Sequence, residues 1–178
     1  MMSVVTEIRI RSIGLAAVLA GWSLLAFGQP DFQTVREWVS KGLFDKAVPI
    51  LRQMIAADPN RADARVLLGT TLALQGIRGE AIAQMAEAVR LEPVSAQAHN
   101  SYGRVLSRFV ELKAARQEFE KALELDPSMA EAHVNLSLLL AQGGDLPEAG
   151  EHLDQAIKLQ GDNPSAAYSH YLKAKIWG

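Results

Sequence analysis

The sequence has no cysteine. That absence excludes disulfides, thiolate metal sites, cysteine nucleophiles and lipid attachment through sulfur. It says little about compartment. Aromatic residues are scarce, at 6%, while hydrophobic residues reach 49%. The apolar bulk is therefore Ala, Leu, Val and Ile, which suits close helix–helix packing better than a β-sandwich. Neither sign of charge is in large excess, with a formal net charge of −2. A basic surface able to neutralise many phosphates is missing, which argues against a broad nucleic-acid role. Catalytic signatures are missing as well. There is no Gly-rich phosphate loop, no His-Glu-x-x-His and no Gly-x-Ser-x-Gly. Gly76-Ile77-Arg78-Gly79 reads only as a turn. These absences lead us to expect no enzyme activity, no metal and no cofactor.

A spanning-length hydrophobic run is also lacking. The longest apolar stretch, Ile13 to Phe27, has about 15 residues against the ~20 of a typical membrane helix. Arg9 and Arg11 precede it, and the small residues Ala26 and Gly28 follow just before Gln29-Pro30. A basic start, a short greasy middle and a small-residue cleavage site make a secretory signal peptide over residues 1–28. The expectation is export, to the periplasm or beyond the cell. An uncleaved inner-membrane anchor is the alternative, and this segment would be the only membrane contact.

What the chain does have is a period of 34 residues, the mark of a repeat architecture. Asp58-Pro59, Glu92-Pro93 and Asp126-Pro127 keep this step. So do Ala47, Ala81, Ala115 and Ala149, and the modest-sized series Val35, Gly69, Gly103 and Ser137. Leu51, Met85, Phe119 and Leu153 form a bulky series, and Met54, Ala88, Ala122 and Ala156 another. Within each unit the apolar spacing predicts two helices of about 14 residues joined by a short turn. Lys41-Gly42, Gln75-Gly76 and Gly143-Gly144 mark three of those turns. The third unit has Phe109-Val110-Glu111 there and no glycine, so its turn is expected to be tighter or less regular. Gly69 is expected against Ala81 and Gly103 against Ala115. The prolines fit the first turn of the next helix or the break before it.

These residues resemble the tetratricopeptide repeat, with its small residue, alanine, bulky residue, alanine and proline at fixed places. The resemblance covers about residues 29–161, as units near 29–61, 62–95, 96–129 and 130–161. The first unit departs from the pattern in its first helix, and the fourth has Gly161 in place of proline. The resemblance implies an all-α fold, a right-handed superhelical α-solenoid. Near the C-terminus His133 and His170, Ser137 and Ala174, and Leu140 and Trp177 are 37 apart. This reads as an insertion around Gln160–Asn163 and a further helix over 164–177. That helix is either a cap or the first half of a fifth repeat in a shortened relative. Tyr171, Ile176 and Trp177 are unusually apolar for a cap.

The resemblance also implies a concave face lined by the first helix of each unit. Its inward positions are Arg36, Val66, Thr70, Leu74, Gln97, Asn100, Arg104, Ser107, Arg108, Glu131, Val134, Leu138 and Gln142. Asn100, Arg104 and Arg108 stand four apart in one row, a basic centre able to pair with carboxylates. The implied partner is another protein, offering an extended peptide or a helix, acidic in part. A solvated face with no ligand is the competing reading of that row. Lysines that some relatives use for a chaperone's carboxyl terminus have no counterpart here. His99 and His133, in equivalent places of adjacent repeats, are too far apart for one tetrahedral metal site and read as a repeated packing position. Glu118, Glu120, Glu148 and Glu151 read as charged helix faces near Lys121 and His152. Trp38 reads as packing.

Overall fold

A computed structural model describes residues 30–161, 163–164 and 166–177. The leader over 1–28 lies outside the described residues. Nine helices and no strand occur among those residues. They are α1 (Phe32–Ser40), α2 (Phe44–Ala57), α3 (Ala62–Leu74), α4 (Arg78–Leu91), α5 (Ala96–Arg108), α6 (Leu112–Leu125), α7 (Ala130–Gly143), α8 (Leu146–Gln160) and α9 (Ala166–Trp177). Each helix packs on its chain neighbour, and successive first helices pack on one another. The result is an all-α solenoid of helix pairs. No described helix is long and apolar enough to cross a membrane.

Local chemistry starts and stops these helices. Asp31 caps α1 by accepting from the Thr34 N–H at 2.7 Å, and Ser95 caps α5 through Ala98. The repeated prolines Pro59, Pro93 and Pro127 sit in the break between repeats. Asp58, for example, opens a turn in which its carbonyl accepts from the Arg61 N–H and its side chain from the Asn60 N–H. Proline at the second place of such a turn has its φ already set.

The turns inside the repeats are all alike, including the one without glycine. Gly42, Gly76 and Gly144 have φ of 72°, 79° and 88°, and Val110 takes the same place with φ 63°. Val110 N–H donates to Ser107 and Glu111 N–H to Leu106, the bonds that Gly76 and Ile77 make to Ala73 and Leu72. The expected irregular turn is therefore an ordinary helix stop forced on a β-branched residue.

The core is a chain of three clusters along the solenoid. The first joins Val35, Leu51, Leu68, Leu72, Met85 and Val105, with Trp38 against it. The second joins Leu106, Phe119, Leu136 and Leu140, and the third Val134, Leu153, Ala156 and Leu172. Ile82 and Tyr102 touch both the first and the second. Ala81, Ala115, Ala149 and Ser137 are wholly buried, and the Ser137 hydroxyl donates to the Val134 carbonyl. Gly69 meets Ala81 as expected, with Met85 beside it, whereas Gly103 faces the Phe119 ring before Ala115. A Cβ on Gly103 would lie 2.6 Å from two ring atoms of Phe119; on Gly69 it would lie 3.0 Å from the Ala81 carbonyl and 3.1 Å from Met85.

Candidate functional site

The first helices α1, α3, α5 and α7 form one wall of the solenoid, and three adjoining clefts run along it. The first, of 340 Å³, is lined by Phe32, Arg36, Val66, Thr70 and Gln97 with Asp63 and Glu92 at its edge. The second, of 150 Å³, takes Thr70, Leu74, Ser101, Arg104 and Arg108. The third, of 340 Å³, takes Arg104, Ser107, Arg108, Asn135, Leu138 and Gln142. Thr70 borders the first two, and the two arginines border the last two, so the clefts form one groove.

The charges in this groove are partly engaged. Arg104 reaches across to Glu131 of the next repeat, Nη1 to Oε1 at 3.0 Å, with both side chains half exposed. Arg108 is tied down more firmly. Its Nε donates to the Ala73 carbonyl at 2.7 Å, at the C-terminal end of α3. The guanidinium is a second donor to this carbonyl, which also accepts from the Gly76 N–H, and the cation meets the negative end of the helix dipole. Arg36 has no ionic partner among the described residues.

Two expected groove residues are not on the groove surface. Asn100 is wholly buried, accepting on Oδ1 from the Asn135 Nδ2 at 2.9 Å. Val134 is 7% exposed and belongs to the core cluster under α9. The reason is geometric. A helix turns about 100° per residue, so each step of four drifts by about 40°. From Arg108 back to Asn100 the row rotates out of the groove and under α7. Asn135, one place beyond Val134, takes the groove position instead. Phe32, Ser101 and Asn135 were not singled out by the sequence; the only signal for Asn135 is its neighbourhood to an inward position. The Asn100 Nδ2 and Ser107 Oγ are buried without a partner.

The remaining side chains of interest lie away from the groove. His99 and His133 each face the carbonyl of the proline before their helix, Pro93 and Pro127. Glu118 is not simply a solvated charge, because it pairs with His99 at 2.7 Å in a largely buried setting. Glu120 and Glu148 both bind Arg116. No described group of three or more His, Asp or Glu is placed to hold a metal ion.

A stack of helix pairs with small residues at the seams and a grooved inner wall defines a helical-repeat interaction scaffold. Two tetratricopeptide-repeat family models match the sequence, over residues 39–105 and 111–164, and the chain belongs to the tetratricopeptide-repeat family. No curated protein matches it. Among solved structures, the crystal structure of MamA is 26% identical, covering 82% of this chain and 84% of that one, with a TM-score of 0.67. PilF of Pseudomonas aeruginosa is 23% identical with a TM-score of 0.72, covering 81% of this chain and 64% of that one. The TPR2B domain of yeast Sti1, solved in a complex with pHsp70, is 20% identical with a TM-score of 0.61, covering 65% and 94%. The last two likenesses speak for the fold alone.

Proposed function

We propose that this protein is a non-enzymatic scaffold that holds an extended, partly acidic segment of a partner protein in its groove, on the exported side of a membrane. The observation that carries the reading is the continuity of the three clefts, with apolar walls at Val66, Leu74 and Leu138 and cations at Arg36 and Arg104. Leu138 and Leu74 are among the more exposed large apolar residues of the molecule, and a guest would remove them from water. A guest carboxylate would take Arg104 from Glu131, an exchange of one exposed ion pair for another with little net cost.

The test places a photo-crosslinking residue at Thr70 or Leu138, and at Glu124 on the outer face as control. The same partner should be captured from both groove positions and not from Glu124. Charge reversal at Arg36 and Arg104 should reduce that capture about ten-fold, which is about 1.4 kcal/mol. Arg108 is left intact because it also caps α3. Equal capture from Glu124, or capture indifferent to the two reversals, overturns the groove reading.

Export rests on the leader of residues 1–28. The mass of the protein purified from its host decides it: a start at Gln29 supports release, and a retained leader supports the anchored alternative.

A further inference from the structure

One position carries the same three-point contact in successive repeats, built from different chemistry each time. In the second repeat Arg65 donates to the Pro59 carbonyl and, at 2.9 Å, to the Gln84 side chain on the partner helix. In the third, His99 takes Arg65's place: Nε2 is 3.1 Å from the Pro93 carbonyl and Nδ1 is 2.7 Å from Glu118. In the fourth, His133 Nε2 is 3.2 Å from the Pro127 carbonyl and Nδ1 is 2.9 Å from Nδ1 of His152. Arg65, His99 and His133 are 34 apart, as are Gln84, Glu118 and His152.

The proton count separates the three. A carbonyl only accepts, so Nε2 of His99 and of His133 carries a hydrogen. At His99 the second ring nitrogen faces a carboxylate, another acceptor, and a charged ring satisfies both. At His133 the second nitrogen faces a ring nitrogen, and only one hydrogen fits between them. With His133 neutral, its Nδ1 offers a lone pair and His152 donates its Nδ1–H into it. A first proton leaves one such bond in place whichever ring takes it, because one Nδ1–H still faces one lone pair. A second proton sets two N–H groups and two positive charges face to face.

We propose that the His133–His152 pair is an acid-sensitive latch, closing the α7–α8 seam near neutral pH and releasing it once both rings are protonated. The surroundings give the charged pair little relief. On α8, Glu148 is bound to Arg116 of α6, and Glu151 is exposed. On α6, Glu120 is bound to the same Arg116 and Glu124 to Lys121. On α9, Lys173 is bound to Asp154. Burial, then the charge of His133, holds the His152 imidazole below its ordinary value of 6.5, with Glu148 and Glu151 pulling the other way. Because the folded seam resists the second proton more than the unfolded chain does, its stability is complete above the ordinary histidine range. It is lost as pH falls below that range. The loss reaches α9, because Val134 and Leu153 flank the same seam and hold Leu172.

Hydrogen exchange of the full chain, corrected for intrinsic rates, at about pH 7.5 and about pH 5 tests this, the two values bracketing the histidine range. Amides of α7, α8 and α9 should lose roughly ten-fold more protection on acidification than those of α3 and α4, the equivalent of one pKa unit. The double variant H133R/H152Q copies the Arg65–Gln84 contact and should erase the difference. The single variant H152E copies the His99–Glu118 contact and should protect the seam better than the unmodified chain at the lower pH. Equal losses in all repeats, or the same loss in both variants, overturns the proposal. Should either variant fail to fold, nitrogen spectra of the unmodified chain's imidazoles decide. Hydrogens on Nε2 of His133 and Nδ1 of His152, with two separated titrations, support the latch, and two independent titrations at the ordinary value sink it.

Discussion

Among the described glycines, the closest approach is where Gly103 meets Phe119. An alanine there gains up to about 1 kcal/mol of helix propensity. Its Cβ, however, would stand 2.6 Å from two atoms of a ring that is 1% exposed. Overpacking of this kind costs about 1–3 kcal/mol. We expect Gly103→Ala to lower stability by about 1–2 kcal/mol in urea unfolding, and the further change Phe119→Leu to recover most of it. A Gly103→Ala chain as stable as the original would show that the ring moves freely. Gly69 should be milder but not free of cost: its added Cβ would stand 3.0 Å from the Ala81 carbonyl, a backbone atom, as well as 3.1 Å from Met85. The 34-residue series made the small residues legible in the sequence. Their partners were less so: the expected facing residue, Ala115, is buried in the same seam, yet the aromatic ring meets the glycine. Series of equivalent residues show which positions share an environment, and contact across a seam depends on side-chain length and direction.

At the scale of the helix pair, Val110 is the clearest strained element. Its turn keeps both hydrogen bonds of the glycine turns, so the left-handed backbone costs the full penalty of an L-residue, about 1–2 kcal/mol. Glycine would remove that penalty and return about 0.5–1 kcal/mol in unfolded-chain entropy. The side chain is 67% exposed and packs little. Val110→Gly should therefore raise stability by about 1 kcal/mol, read as a higher urea midpoint at unchanged slope. A lower midpoint would mean that the valine side chain contributes packing after all. The sequence places Val110 34 residues from both Gly76 and Gly144, and the repeat geometry overrides the local preference of the residue. The groove was legible to a similar depth. Arg36, Val66, Thr70, Gln97, Arg104, Arg108, Leu138 and Gln142 all line the clefts. Asn100 and Val134 do not, because the drift of a row around its helix turns buried faces outward and outer faces in; Glu131 does not line them either, and meets the groove only through its pair with Arg104. The links Arg104–Glu131 and Arg108–Ala73 cross between repeats, and spacing within one helix carries no information about them.

At the scale of the whole molecule, stability is distributed along a line. The cluster around Leu153 shares no buried residue with the other two clusters. In such an array each unit contacts only its neighbours, and local stability is set by the unit and its interfaces. Leu153 is wholly buried, so Leu153→Ala should cost about 2–5 kcal/mol. Spread over a single cooperative core, that cost would fall on every amide alike. Here it should fall on α7, α8 and α9, which lose hydrogen-exchange protection, while α3 and α4, anchored by Leu68, Leu72 and Met85, keep theirs. Ile82 and Tyr102, which join the first two clusters, should extend that retained protection into α5. A uniform loss across all helices would show that the clusters act as one core. The solenoid would then be a single folding unit, and a groove wall able to loosen at one end while holding at the other would have no physical basis.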